Sequence, residues 1–205
     1  MNHLKTLFIG FFLTFLFAWL GLVVFPYLQL GNLQPYVDED EGTSFPLELT
    51  GIEKRGMESY ARNGCIYCHT QQIRPKSQGS DIERGWGGRR TVARDYINQK
   101  PVFLGTMRTG PDLTNVGVRL RDERWHHEHL YNPQSKSSWS TMSPYKYLYE
   151  KRKIQGQPSP DALIDIGEEI EEGYEIVPKE EAKALVAYLL SLNRNYPLPE
   201  APFDE

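Results

Sequence analysis

The pentapeptide Cys65-Ile66-Tyr67-Cys68-His69 constrains this chain more than any other feature. Two thiols three positions apart can both add across the vinyl groups of a haem, and an imidazole on the next residue then falls beneath the iron as its proximal ligand. Cys65 and Cys68 are also the only cysteines among the 205 residues. Structural zinc and iron-sulfur sites built on thiolates take about four such ligands, so they are excluded, as is a disulfide framework. Thioredoxin-like chemistry, the other common use of C-x-x-C, lacks here the βαβ pattern that carries it and the histidine is foreign to it. The motif predicts one covalent haem c, held by Cys65 and Cys68 with His69 on the iron.

An electron-transfer haem needs a sixth ligand, and methionine is the choice that raises its potential. The candidates are Met142, Met107, Met57, His126, His127 and His129. Met57 lies on the helix leading into the motif, too close in sequence to reach the far face. Met142 sits in Ser140-Thr141-Met142-Ser143-Pro144-Tyr145, a polar, proline-containing loop that can lay a thioether over a haem and suits core packing poorly. Met142 is therefore preferred to Met107. His126 and His129 are spaced i, i+3 and could share a metal on a helix face, but are read instead as interface or propionate-neighbouring residues.

Leu7 to Phe25 is a run of nineteen residues whose only polar member is Thr14, close to the roughly 20 needed to cross the hydrocarbon core. It exceeds the roughly 7 to 15 apolar residues of a cleavable secretory signal, and no A-x-A-like site follows it. The run therefore predicts an uncleaved single-pass anchor, with Trp19 and Tyr27 at the interface and Pro26 near the helix end. Lys5 precedes the span, whereas Asp38, Glu39, Asp40 and Glu41 follow it. The positive flank places the amino terminus in the cytoplasm and the remainder on the outer side, where haem c is attached.

A net charge of -4 excludes an overall basic nucleic-acid binder. The charge is segregated: Glu53 to Lys153 holds 19 of the 23 Lys and Arg but only 10 of the 27 Asp and Glu. The acidic segment from Asp161 to Glu172 is read as a solvated face. Helices are predicted over 51–63, 121–131 and 179–192. In the last, Ala182, Leu185, Val186, Leu189 and Leu192 form an apolar stripe behind Glu180 and Glu181 in the first turn. The Gly- and Arg-rich stretch from Gln71 to Asn132 predicts loops and short helices around the cofactor. The expected organisation is an anchor over 1–28, a linker over 29–50, a mono-haem domain over 51–195 and a C-terminal tail over 196–205. The class is mainly α with long loops.

Four ordered blocks then go beyond the generic motif. They are Gly64-Cys65 through His69 with Gln71-x-Ile73-Arg74-Pro75; Arg108-Thr109-Gly110-Pro111-Asp112-Leu113 with Gly117; Trp125-His126 with His129-Leu130-Tyr131-Asn132-Pro133; and Ser140-x-Met142 with Tyr145. From the anchor to about Tyr149 the chain resembles subunit II of the cbb3-type cytochrome c oxidases, a membrane-anchored mono-haem cytochrome. The resemblance implies a class I cytochrome c-like domain in which His69 and Met142 are the axial pair and the Pro111 carbonyl accepts from the His69 ring. It implies Arg74 and Arg108 near the haem propionates, Thr106 at a calcium-bridged junction with the catalytic subunit, and Gly56 and Tyr60 packed on the last helix near Tyr188. The family loop usually reads Met-Pro-x-Tyr-Pro, where this chain has Met142-Ser143-Pro144-Tyr145-Lys146.

The implied role is that of an electron-transfer, non-catalytic subunit of a respiratory terminal oxidase in the bacterial inner membrane, with its haem domain in the periplasm. Its partners would be a donor cytochrome, or another cytochrome c subunit, and the integral-membrane catalytic subunit that reduces O2. Two other readings use the same motif: the haem c subunit of a nitric oxide reductase, and a freestanding membrane-tethered electron shuttle.

Overall fold

The computed structural model describes residues 3–40 and 42–203. Glu41 of the acidic run, the amino terminus and the last two residues of the C-terminal tail lie outside the described residues. The chain divides into two compact units, one comprising the residues up to Pro46 with Ala93–Ile97, the other Leu47–Val92 with the residues from Asn98 onward.

In the first unit, α1 (Leu4–Trp19), a π-helical turn (Leu20–Val24) and α2 (Phe25–Leu30) form one continuous helix. The wide turn has a local cause in Pro26, which has no N–H and whose ring crowds the carbonyl four residues back, at Leu22. The 27 residues have a mean hydropathy of 2.5 in their most apolar window and none of that window is buried within the chain. This helix is long and apolar enough to cross a membrane. The single polar side chain of the predicted span is satisfied internally, because the Thr14 hydroxyl donates to the Gly10 carbonyl at 2.9 Å. Beyond it, β1 (Tyr36–Val37) pairs antiparallel with β2 (Ser44–Phe45). The stretch predicted to be an irregular linker thus contains a small hairpin. Arg94 donates to the Gln34 carbonyl, which ties Ala93–Ile97 to the same unit.

The second unit contains α3 (Gly51–Arg62), α4 (Val116–Arg119), α5 (Glu123–Tyr131), α6 (Pro133–Lys136), β3 (Tyr149–Lys153), β4 (Tyr174–Pro178) and α7 (Glu180–Ser191). The Glu53 carboxylate starts α3 by accepting from the Thr50 backbone N–H at 2.5 Å. Helix α3 then crosses α7, whose residues Ala182, Ala184, Leu185, Val186, Tyr188 and Leu189 are buried. The crossing is close because Gly56 faces Ala184: a Cβ there would come within 2.6 Å of the Ala184 carbonyl carbon and 2.7 Å of the Tyr188 Cβ. Tyr60 and Tyr188, both fully buried, meet nearly edge-on at 5.5 Å between ring centroids. A second glycine sets the approach of α4, since a Cβ on Gly117 would lie 2.6 Å from the Leu190 carbonyl carbon.

The acidic segment is more than a solvated face. Strand β3 pairs antiparallel with β4, from Tyr149 opposite Pro178 to Lys153 opposite Tyr174. The connecting residues return their acids to the bases of the preceding chain: Asp165 to Lys136, Glu168 to Lys146 and Glu171 to Lys151, at 2.7 to 2.8 Å. Glu168 also accepts from the Tyr131 hydroxyl at 2.7 Å. The residues after α7 fold back as well, with the Tyr196 carbonyl accepting from Arg89 at 2.7 Å and Leu198 and Ala201 buried.

Candidate haem-binding site

Gly64, just past the end of α3, adopts φ +72°, a left-handed conformation that glycine takes without strain and that stops the helix. Cys65–Tyr67 then form a single 3-10 turn, closed by Cys68 N and His69 N donating to the Cys65 carbonyl at 3.2 and 3.0 Å. Both thiols are free, Cys65 half-buried and Cys68 exposed. Burial pushes the Cys65 thiol up to about 11.

The His69 ring is oriented by the second sequence block. Its Nδ1 lies 2.7 Å from the Pro111 carbonyl oxygen, and a carbonyl can only accept, so Nδ1 carries the proton. The Nε2 lone pair is left for a metal. Desolvation lowers the pKa of the half-buried ring, against the opposing pull of the Pro111 hydrogen bond and the Asp112 charge. Lowering favours the neutral imidazole, the ligating form. Gly110 packs flat on the ring: a Cβ there would stand 2.8 Å from Nδ1 and nearer still to Cε1. Two backbone hydrogen bonds, Gly110 N to Cys68 O at 3.0 Å and Leu113 N to Thr70 O at 2.8 Å, run this block alongside the motif.

Arg108 of the same block joins a buried charge cluster. The Asp81 carboxylate, fully buried, accepts from both Arg74 and Arg108, the shortest contact being 2.6 Å to Arg108. Burial alone would raise its pKa, but the two guanidiniums hold it far below the usual carboxylate range. Arg74 and Arg108, singled out from the sequence as propionate partners, therefore already share a carboxylate within the chain. Arg119 was not singled out: it donates to the Asp112 carbonyl, while its Nε is buried without a partner among the described residues. An unmet buried guanidinium donor is the kind of group that a carboxylate satisfies.

Met142 is half-buried and packs against the apolar core together with Cys65, Ile66 and Tyr145. Its loop is pinned from two sides. Gln134 donates to the Ser140 and Met142 carbonyls at 2.9 and 3.1 Å, and the Tyr147 hydroxyl donates to the Asn63 side chain at the end of α3. Met107, by contrast, is 59 % exposed. On α5 the three histidines diverge: His126 Nε2 meets the Leu120 carbonyl at 2.8 Å, His127 Nδ1 meets the Tyr149 hydroxyl at 3.1 Å, and His129 stacks on Trp125 at 4.8 Å. Among the described residues no three His, Cys, Asp or Glu side chains gather into a metal cluster.

Two thiols three positions apart on one turn, an imidazole whose Nδ1 is held by Pro111, a glycine close against that imidazole and a half-buried thioether packed on the same apolar core as Cys65 fit a covalently held haem. Calcium is a different case. Thr106 is exposed and offers one hydroxyl, whereas calcium takes about six to eight oxygens, so Thr106 by itself does not make a calcium site. A family model described as "Cytochrome C oxidase, mono-heme subunit/FixO" matches residues 8–176. No curated protein matches the chain significantly.

Proposed function

Because this chain belongs to the mono-heme cytochrome c oxidase subunits of the FixO family, its role lies in electron transfer within an oxidase, and we propose that it relays single electrons from a cytochrome donor to the integral-membrane subunit that reduces O2. The observation that carries the reading is the His69 ring, fixed through Nδ1 by Pro111, directly after the turn that bears the two thiols. A covalent haem c supplies a reversible one-electron iron couple when bound.

The chain's own residues do the rest. Cys65 and Cys68 would hold the porphyrin covalently, His69 and Met142 would ligate its iron, and Ile66, Tyr145 and the apolar cluster behind them would exclude water. Pro111 holds the imidazole plane, and Gly110 lets the backbone approach it. Arg74, Arg108 and Arg119 would be the candidates to meet the carboxylates of the group, Arg119 through the buried Nε that has no partner among the described residues. The apolar helix anchors the subunit in the bacterial inner membrane with its amino terminus cytoplasmic and the haem domain, a class I cytochrome c fold over 51–195, in the periplasm. Thr106 contributes to a calcium site only together with ligands of the catalytic subunit. The family match to an oxidase favours this reading over a nitric oxide reductase subunit or a freestanding shuttle.

Replacing Met142 by leucine in the full-length chain tests the assignment. The variant keeps its covalent haem, loses the six-coordinate low-spin spectrum and binds CO when reduced. A Met142→Leu protein that stays six-coordinate and refuses CO would overturn Met142 as the ligand.

A further inference from the structure

We infer that Asp112 is a positioning residue for the haem: its carboxylate holds the Pro111 carbonyl on the His69 ring and keeps a fixed negative charge beside that imidazole, lowering the reduction potential. The inference rests on the reading of His69 as an axial ligand.

Asp112 follows Pro111 and Thr70 follows His69, so the two residues stand one position beyond either end of the His69–Pro111 hydrogen bond. They are bonded directly, Thr70 Oγ1 donating to Asp112 Oδ2 at 2.6 Å. The direction of that bond is fixed by its neighbour. Arg108 Nε donates to the same Thr70 oxygen at 2.8 Å, and a guanidinium cannot accept, so the single hydroxyl proton goes to Asp112. Asp112 Oδ2 also accepts from Gln72 N at 2.8 Å, and Oδ1 from Thr114 N at 2.8 Å. One fully buried carboxylate thus draws donors from both segments, and the acceptor carbonyl cannot slide along the ring without breaking them.

The carboxylate does more than complete a turn. A neutral side chain could accept from Thr114 N and Gln72 N, yet this position holds a buried charge. Asp81 and Asp112 offset part of the positive charge of Arg74, Arg108 and Arg119, with Arg108 Nη2 3.7 Å from Asp112 Oδ2 and Arg119 on the Asp112 carbonyl. Removing the Asp112 charge makes the cluster one unit more positive next to the His69 imidazole. Excess positive charge disfavours the oxidised iron, so the wild-type carboxylate holds the potential down.

The test uses the full-length chain with its covalent haem. Asp112→Asn removes the charge and is expected to shift the one-electron equilibrium toward the reduced form on the order of tenfold, an upward shift of about 59 mV in midpoint potential. Thr70→Val keeps the charge and removes one tie, so it leaves the one-electron equilibrium within about threefold while speeding exchange of the His69 Nδ1 proton, read by NMR in the reduced protein. An Asp112→Asn protein with an unchanged potential and an intact low-spin spectrum overturns the inference. Should Asp112→Asn fail to assemble with haem, unchanged Nδ1 exchange in Thr70→Val overturns it. A wild-type protein without a six-coordinate spectrum contradicts the underlying ligand assignment instead, so the two failures are separable.

Discussion

Replacing Gly56 by alanine is expected to destabilise the protein even though alanine is the better helix former. In isolation the change favours α3 by about 1 kcal/mol. Across the crossing, however, the new Cβ meets the Ala184 carbonyl carbon at 2.6 Å, about 0.8 Å short of ordinary contact at 3.4 Å. The obstacle is backbone, which cannot swing aside as a flexible side chain can, so α3 and α7 must part. A gap of about 0.5 to 1 Å forfeits a quarter to a half of each dispersion well. Tyr60, Tyr188 and Leu185 lie fully buried in this part of the core, and each such side chain contributes about 1.5 to 3 kcal/mol by burial. Losing roughly a third to a half of that total costs about 3 kcal/mol, within the range of measured overpacking penalties. The net loss is about 2 kcal/mol, or a fall of roughly 4–8 °C in melting temperature for a chain of this size. Thermal unfolding of the full-length haem-loaded chain in mild detergent, followed by far-UV circular dichroism, reads it directly. Gly51→Ala is the control, because nothing lies within 4 Å of the Cβ it would add. A Gly56→Ala protein that melts with or above the Gly51→Ala control would refute the close crossing.

Two further perturbations probe buried charge. His127 is buried on α5, where desolvation, with the positive potential of His126 and Lys183 exceeding what Asp161 offsets, pushes its pKa down to about 4. An unfolded histidine titrates near 6.5, so the unfolded chain binds the proton that the folded one refuses. The stability is complete above about pH 6.5 and is lost as the pH falls toward 4, by about 2 kcal/mol at pH 5. Denaturant titrations at pH 7 and pH 5 check this: His127→Gln flattens the difference, and an equal pH slope in both proteins sinks the idea. Asp81→Asn leaves the guanidiniums of Arg108 and Arg74 without their shared carboxylate; with Arg108 only 18 % exposed, the expected cost is about 3 kcal/mol in denaturant unfolding. A loss below about 0.5 kcal/mol, the level of an ordinary surface substitution, would show that the pairing is immaterial.

What was legible in the sequence was local. The apolar run, the C-x-x-C-H turn and the stripe on α7 each repeat on the period of one element, so they need no knowledge of where the chain goes next. Residues 51–62, 123–131 and 180–191 are helical close to the predicted limits. The β3–β4 hairpin escaped notice because Glu150-Lys151-Arg152-Lys153 shows no apolar alternation: four of the five β3 residues are exposed, Tyr149 alone reaching the core, whereas β4 is buried along most of its length. Partner choice among charges was equally invisible. Arg74 and Arg108 read as cations in search of an anion, and composition cannot distinguish Asp81, seven residues from Arg74 and in the same fold of chain, from a cofactor carboxylate. The acidic segment after Asp161 poses the same problem in reverse: its carboxylates meet Lys136, Lys146 and Lys151 only because the hairpin returns it to them. Glycines offer a route that sequence reading can use. Gly56, Gly110 and Gly117 all stand where a Cβ would strike a carbonyl carbon or a histidine ring, and none needs positive φ. Close approach is therefore the reason for glycine at all three, and each marks a contact, one of them with the residue expected to hold the iron.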